Sequence, residues 1–464
     1  MTDSADPALL PIAEATRRIA AGELSALELT QAVLARIVEL DQTLNAYLLV
    51  DGDAALDQAR AADRRRDRPP LLGIPVCVKD LIDVLNTPTT AGAAAWSRTP
   101  DRDAGVVQRL RAAGAVIVGK GNTNEFAYGV DGLNPHRGDC LNPYDSGRLS
   151  GGSSSGPAVA TAAGMALAGI GTDTSGSIRV PASLCGLVGI RPTLGRVSRA
   201  GVIPLAWSYD TVGPLARSVE DAAIVLAVLA GPGGRDPTAA ARAVPDFRPG
   251  REPDVKGLRL GVVEELVDVA EPYVADALAA TARELETLGA DVVPLRFELL
   301  HHAIAIHHLV QQAEAAEVHA PWFDEQRDRY AEPVRRRLEA GRLIPASSYL
   351  AAQQARRLLI EDVARAMEGV DALLAPSTPI VAPHRDAGDV EIRGATVPLR
   401  QALLACTLPL SELGSPVVSV PIGSHAGLPF GMQIAGRPFS EPQLLRIAAV
   451  CERRWRWADH RPPA

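Results

Sequence analysis

The sequence predicts an α/β protein folded as one large domain. Three observations carry that prediction. Short apolar runs alternate with amphipathic helical stretches, 47% of the residues are hydrophobic against 22% charged, and no linker, repeat or low-complexity segment interrupts the 464 residues. A prior of about 150 residues per domain would give three domains. No boundary is marked, so a single domain spans 1–464, with a core over roughly 71–220 and 370–445 and a helical insert over roughly 297–368.

In chain order, residues 12–21 and 25–39 show i, i+3, i+4 apolar spacing, and Ser25 ahead of Glu28 makes a capping box. GIPVCVKD (73–80) and AGAVIVGK (113–120) read as strands, with a helix over 104–113 leading into the second. Residues 145–177 are rich in Gly and Ser around an Ala-rich segment, 157–167, whose Pro157 suits a first helical turn. Such composition often marks a flexible linker. Here Arg148, Asp173 and Arg179 interrupt it, which points to closely packed backbone. Strands over 257–263 and 290–295 flank a helix over 271–289, and a helical region covers 297–368. DALLAPSTPIVAP (371–383) and SPVVSVPIG (415–423) each contain a strand, and the last helix covers 441–457.

Charge and composition exclude several functions. A net charge of −8 and 4% aromatic residues do not suit a nucleic-acid surface. Arg64, Arg65 and Arg66 are flanked by Asp63 and Asp67 and read as a solvated face. Cys77, Cys140, Cys185, Cys406 and Cys451 are odd in number and form no CxxC pair. That argues against disulfides or zinc and for a reducing compartment. The N-terminus shows no basic stretch followed by an apolar run, and no run of 18 uncharged apolar residues occurs. The expectation is a cytoplasmic protein with neither nucleic acid nor membrane as partner.

Three segments carry chemistry together: GIPVCVKD, which ends an apolar strand at Lys79, GGSSSG (151–156) and GTDTSGSIRVP (171–181). A serine hydroxyl is a weak nucleophile and needs a base. His136 is the one histidine near the Gly/Ser-rich segment in sequence, so a Ser-His-Asp arrangement has no obvious member there. A lysine whose ammonium is disfavoured by burial can act instead. Cys77, beside Lys79, reads as a small core residue. His301, His302, His307 and His308 read as polar positions on a helix, not metal ligands, because His301 and His308 stand two turns apart.

With KGNTNEFAYG (120–129), CGLVGIRPTLGRVSRAGVIPL (185–205), WSYDTVGPLARSVEDAA (207–223) and GLPFGMQIAGRPF (427–439), the chain resembles the amidase signature family over most of its length. The resemblance implies a mixed central β-sheet covered by helices on both faces. It makes Ser177 the nucleophile, Lys79 the ultimate base and Ser153 the relay between them, with a cis peptide before Ser153. It assigns the oxyanion hole to the backbone N–H groups of Thr174, Ser175, Gly176 and Ser177. One position departs from the family, which has Gly-Gly before the nucleophile where this chain has Ser175-Gly176. Residue 175 must then adopt a commonly allowed φ. Asp173 and Arg179 are expected to hold the loop, Ser154 to hydrogen-bond nearby, and Ala127 and Tyr128 to contact substrate, with core packing as the other reading of Tyr128.

The resemblance implies hydrolysis of a small-molecule carboxylic amide to acid plus ammonia or amine through an acyl-enzyme, with no metal and no cofactor. Two alternatives stay open. One is the glutaminase subunit of a tRNA-dependent amidotransferase; the other is hydrolysis of carbamate, urea-type or biuret-like C–N bonds. Laying PLSELGSP (409–416) on the amidotransferase pattern puts Leu404 where the glutaminase has a glutamine-binding aspartate, although Glu412 lies nearby. Family members are often dimers, and the sequence leaves homodimerisation open.

Overall fold

In the computed structural model, residues 6–233, 235–455, 457 and 460–463 are described. The strands in chain order are β1 (Tyr47–Val50), β2 (Pro75–Lys79), β3 (Val116–Gly121), β4 (Ala168–Asp173), β5 (Val188–Arg191), β6 (Thr211–Ala216), β7 (Arg259–Val263), β8 (Asp291–Leu295), β9 (Ala372–Pro376), β10 (Asp389–Ile392), β11 (Ala395–Pro398), β12 (Val417–His425) and β13 (Leu428–Ala435). Among the described residues, eleven of them form one sheet in the order β1-β3-β2-β4-β6-β5-β12-β13-β9-β7-β8, while β10 and β11 make a separate ribbon. The sheet is mixed. β2 runs parallel to both β3 and β4, and β7 runs parallel to both β8 and β9. The remaining pairs are antiparallel. Helices flank the sheet, and the expected single α/β domain is what the chain forms.

Every residue of β2, β3, β4 and β6 is buried, as strands covered on both faces must be. The helix Gly105–Ala112 carries the chain from β2 back to β3, and Ser155–Ala162 packs on the same strands just before β4. At the N-terminus, Ala26–Leu44 is capped by the expected reciprocal bonds between Ser25 and Glu28. The helices Ala303–His319, Glu332–Arg342 and Ala346–Ala366 fill the expected helical region. The final helix is Glu441–Trp455; Arg456, inside the expected span 441–457, lies outside the described residues, as do residues 1–5. Among the described residues, no helix is long and apolar enough to cross a membrane.

Parallel pairing brings the C-terminal ends of β2 and β4 side by side. In open α/β sheets that edge is where ligands bind.

Candidate active site

Lys79 closes β2 with its side chain fully buried. Its Nζ lies 2.8 Å from Ser153 Oγ, 2.8 Å from Thr172 Oγ1 and 3.1 Å from Ser154 Oγ. Burial lowers its pKa from 10.5 to about 7, against the opposing pull of Asp173 and Asp210. Ser153 follows a cis peptide bond from Gly152. Glycine is required at 152, because a Cβ there would overlap Asn124 Oδ1. Gly152 N–H donates to Val130 O (2.8 Å), and Ser154 N–H donates to Ser177 O (3.1 Å), so the two serine-bearing segments are joined through their backbones. Ser154 Oγ also donates to Thr172 O and accepts from Thr172 N–H, both at 3.1 Å, which fixes it under the lysine.

Ser177 is 6% exposed, in the loop that leaves β4. Its hydroxyl has no hydrogen-bond partner among the described residues, so the structure joins Lys79 to Ser153 without a hydroxyl bond from Ser153 to Ser177. Also among the described residues, the backbone N–H groups of Thr174, Ser175, Gly176 and Ser177 donate to no protein acceptor. Four open donors on consecutive residues are what an anionic oxygen would need.

Side chains hold this loop at its start. Asp173 accepts from Arg179 Nε and Nη2 and from Arg191 Nη1, each at 3.1 Å, all three residues being fully buried. Burial alone would raise the Asp173 carboxyl, but the two guanidinium groups override it and hold it well below the usual carboxylate range. Arg179 also donates to Thr407 O (2.9 Å), Gln433 Oε1 (2.9 Å) and Ser411 Oγ (2.6 Å). Thr174 Oγ1 donates to Asp210 Oδ1 at 2.6 Å. Ser175 is absent from the positive-φ residues, as its side chain demands, whereas Gly176 has φ 144° and faces the Thr407 side chain so closely that a Cβ would overlap it.

The two residues expected to contact substrate border different cavities. Ala127 lines a cavity of about 220 Å³ together with Leu81, Thr172, Thr174, Ile203 and Leu205. Tyr128 does not reach that cavity; it borders a neighbouring crevice with Asp131 and Arg337. Its buried hydroxyl has no partner among the described residues, and the guanidinium groups of Arg337 and Arg400 stand 4.7 and 5.9 Å from its ring centre.

Sequence reasoning missed His307. The polar position expected on its helix is fully buried, and its Nε2 lies 2.7 Å from Ser175 Oγ. His136 is the histidine nearest the Gly/Ser-rich segment in sequence, but His307, 132 residues from Ser175, is the one that meets it in space. His136 Nε2 itself lies 3.1 Å from Glu125 Oε1. Thr172, Arg191 and Asp210 were missed as well, each bonded to a side chain or backbone group of the site. Cys77 is buried, and burial pushes its thiol far up, which keeps it protonated.

Residues 28–445 match the Amidase family. The chain belongs to that family. It is 40% identical to the A subunit of the glutamyl-tRNA(Gln) amidotransferase of Roseiflexus castenholzii (strain DSM 13941 / HLO8), covering 98% of this chain and 97% of that one. Among solved structures, the native peptide amidase of Stenotrophomonas maltophilia superposes with a TM-score of 0.84 at 34% identity, covering 98% of each chain. A chain from a vestigial protein complex that bears on the evolutionary origins of an s-triazine catabolic enzyme superposes at 0.92 and 36% identity, covering 98% of this chain and all of its own. The amidase-family chain is accordingly an enzyme that hydrolyses amides.

Proposed function

We propose that this amidase-family enzyme cleaves the C–N bond of a small carboxylic amide through an acyl-enzyme on Ser177. The observation that carries the reading is the fully buried Lys79 amine within hydrogen-bond distance of Ser153. A neutral amine has two N–H groups and one lone pair. Ser154 and Thr172 are placed to accept the two N–H groups, leaving the lone pair for the Ser153 proton. Ser153 passes that proton to Lys79 as it takes one from Ser177, and the Ser177 oxygen attacks the carbonyl carbon. The open N–H groups of residues 174–177 receive the negative oxygen. The proton returns through Ser153 to the leaving nitrogen, and water then releases the acid by the same route. Asp173 and Arg179 hold the loop, and Ala127 meets the acyl group in the cavity beside Thr172. Neither a metal nor an organic cofactor enters this route.

The amidotransferase reading rests on the 40% identity to the Roseiflexus castenholzii protein. Two observations favour a free amidase over a glutaminase. Leu404 is packed in an apolar cluster with Leu403 and Leu408, so it offers nothing to an α-ammonium group. Glu412, the nearby carboxylate, is already committed to His307, Tyr209 and Arg356.

The test is a panel of aliphatic amides, aryl amides, carbamates, biuret and glutamine, with ammonia and amine release measured for the wild type and Ser177→Ala. Turnover of at least one amide that Ser177→Ala abolishes is expected, with no glutaminase activity. Glutaminase activity on adding the other components of an amidotransferase would replace this reading with the glutaminase one. A preference for biuret or carbamate over every amide would move the substrate class while keeping the triad.

A further inference from the structure

The backbone donors proposed to receive the substrate oxygen must stay unpaired in the resting enzyme. A loop whose N–H groups are reserved in this way cannot be anchored by them. Its position has to come from side chains, and residues 173, 174 and 175 each supply one. Asp173 is held by Arg179 and Arg191, and Thr174 by Asp210. At 175 the family pattern has a glycine, which could contribute no anchor, whereas this chain has a serine.

Ser175 is 5% exposed, and its hydroxyl enters a buried chain of polar groups. Gln311 Nε2 donates to Ser175 Oγ at 3.0 Å. The Ser175 proton is then directed at His307 Nε2, 2.7 Å away. With a neutral imidazole, that assignment puts the His307 proton on Nδ1, 2.6 Å from Glu412 Oε1. Glu412 is fixed in turn: Tyr209 OH donates to its Oε2 at 3.1 Å, and Arg356 Nε donates to its backbone oxygen at 3.0 Å. The Tyr209 ring lies against the imidazole, with centroids 4.3 Å apart. His307 and Glu412 are fully buried, so water cannot replace either partner, and with a neutral imidazole the hydrogen bonds run in one direction from Gln311 to Glu412.

We propose that Ser175, His307 and Glu412 form a positioning relay that fixes the oxyanion loop for attack by Ser177. The relay rests on the reading that Ser177 is the nucleophile. It ties the loop to the helix Ala303–His319 and to the segment before β12, two elements far away in sequence. Residue 175 lies within the set of four donors, so a displacement there moves the N–H groups on both sides. Displacements of about 1 Å at such a site cost on the order of 100-fold in rate. The order serine, histidine, carboxylate is also that of a nucleophile with its base and orienting group, and the experiment has to separate these roles.

Ser175→Ala, Ser175→Gly, Glu412→Gln and the double variant Ser175→Ala/Glu412→Gln are assayed on an amide turned over by the wild type. For each, kcat, KM, the affinity for an aryl trifluoromethyl ketone and the affinity for the product acid are measured, with Tm as the folding control. Ser175→Gly restores the family residue and serves if the alanine variant does not fold. The expected loss in kcat is about 10- to 100-fold, with KM within about threefold and product affinity unchanged. Ketone affinity should fall by the same factor as kcat/KM, because the ketone binds as a tetrahedral oxyanion. The double variant should be no worse than the poorer single one, since both act through one relay. Wild-type kcat and ketone affinity in folded Ser175→Ala or Ser175→Gly would overturn the relay alone. If a fluorophosphonate labels Ser175 instead of Ser177, and Ser177→Ala still turns over, both the relay and the nucleophile assignment fall.

Discussion

On the proposed mechanism, Lys79 sets the pH at which the enzyme works. An ordinary lysine with a pKa of 10.5 is neutral in about one molecule in 3,000 at pH 7, whereas with its pKa lowered by burial to about 7 half the population is neutral. That is a gain on the order of 1,000-fold in competent base, corresponding to about 5 kcal/mol between the two protonation states at ~1.4 kcal/mol per unit. With an uncharged amide as substrate, kcat/KM should rise tenfold per pH unit below 6, bend near 7 and level off above 8. Lys79→Met should lose at least about 10,000-fold in kcat, with no bend near 7 in what remains. The same group links pH to stability. Its folded pKa lies below its unfolded one, so between pH 7 and 10.5 the unfolded chain holds the extra proton, and this group makes stability rise with pH across that window. Lys79→Met should flatten that rise in urea unfolding. A wild-type profile flat from pH 5 to 8, or one that bends near 10, would refute the neutral-amine reasoning.

Gly176→Ala forces a side chain onto Thr407 at φ 144°, and kcat should fall at least about 100-fold in a folded protein, checked by steady-state kinetics beside circular dichroism. Asp173→Asn leaves Arg179 and Arg191 buried without their carboxylate, so urea unfolding at pH 7 should show a loss of about 3–5 kcal/mol. Asp173 has its pKa depressed in the folded state, so its contribution is present above about pH 4 and fades as pH falls below it. The asparagine variant should therefore lose less stability than the wild type on acidification below pH 4. Thr172→Val removes one acceptor from Lys79 and favours the neutral amine further, so the bend in kcat/KM should move to lower pH, read from the same rate profile.

The parts of the molecule legible in the sequence are those whose signals are local. The apolar run into Lys79, the paired Gly/Ser motifs and the Ser25–Glu28 capping box all lie within a few residues of the structure they specify. Strand β6 was harder to see, because Gly213 and Pro214 disfavour a strand on propensity alone. It is a strand because it lies between β4 and β5 in the middle of the sheet. The four-residue β1 and the ribbon of β10 and β11 were too short to announce themselves.

The site was legible through its motifs, and unreadable where a partner comes from far along the chain. His307 lies 132 residues from Ser175, and Glu412 lies 105 residues beyond His307. A signal did exist. His307, Gln311 and Glu314 recur at helical spacing in phase with the buried Ala303, Ile306 and Val310, so polar side chains occupy an inward-facing stripe. Polar groups in such a stripe must find buried partners, which marks His307 as a buried polar group with a partner to find. Tyr128 is the converse case: its motif lies beside Ala127, yet the turn at Phe126 and Ala127, with φ 50° and 56°, sends the two side chains to different cavities.

The most direct measurement follows covalent labelling by a fluorophosphonate, with the adduct mapped by peptide mass spectrometry and its rate recorded against pH. The expected result is a single adduct on the Ser177 hydroxyl, forming faster as pH rises through 7 and at least about 1,000-fold more slowly in Lys79→Met. An adduct on any other residue, or equal labelling rates with and without the lysine amine, would contradict the claim that a buried neutral lysine arms that serine.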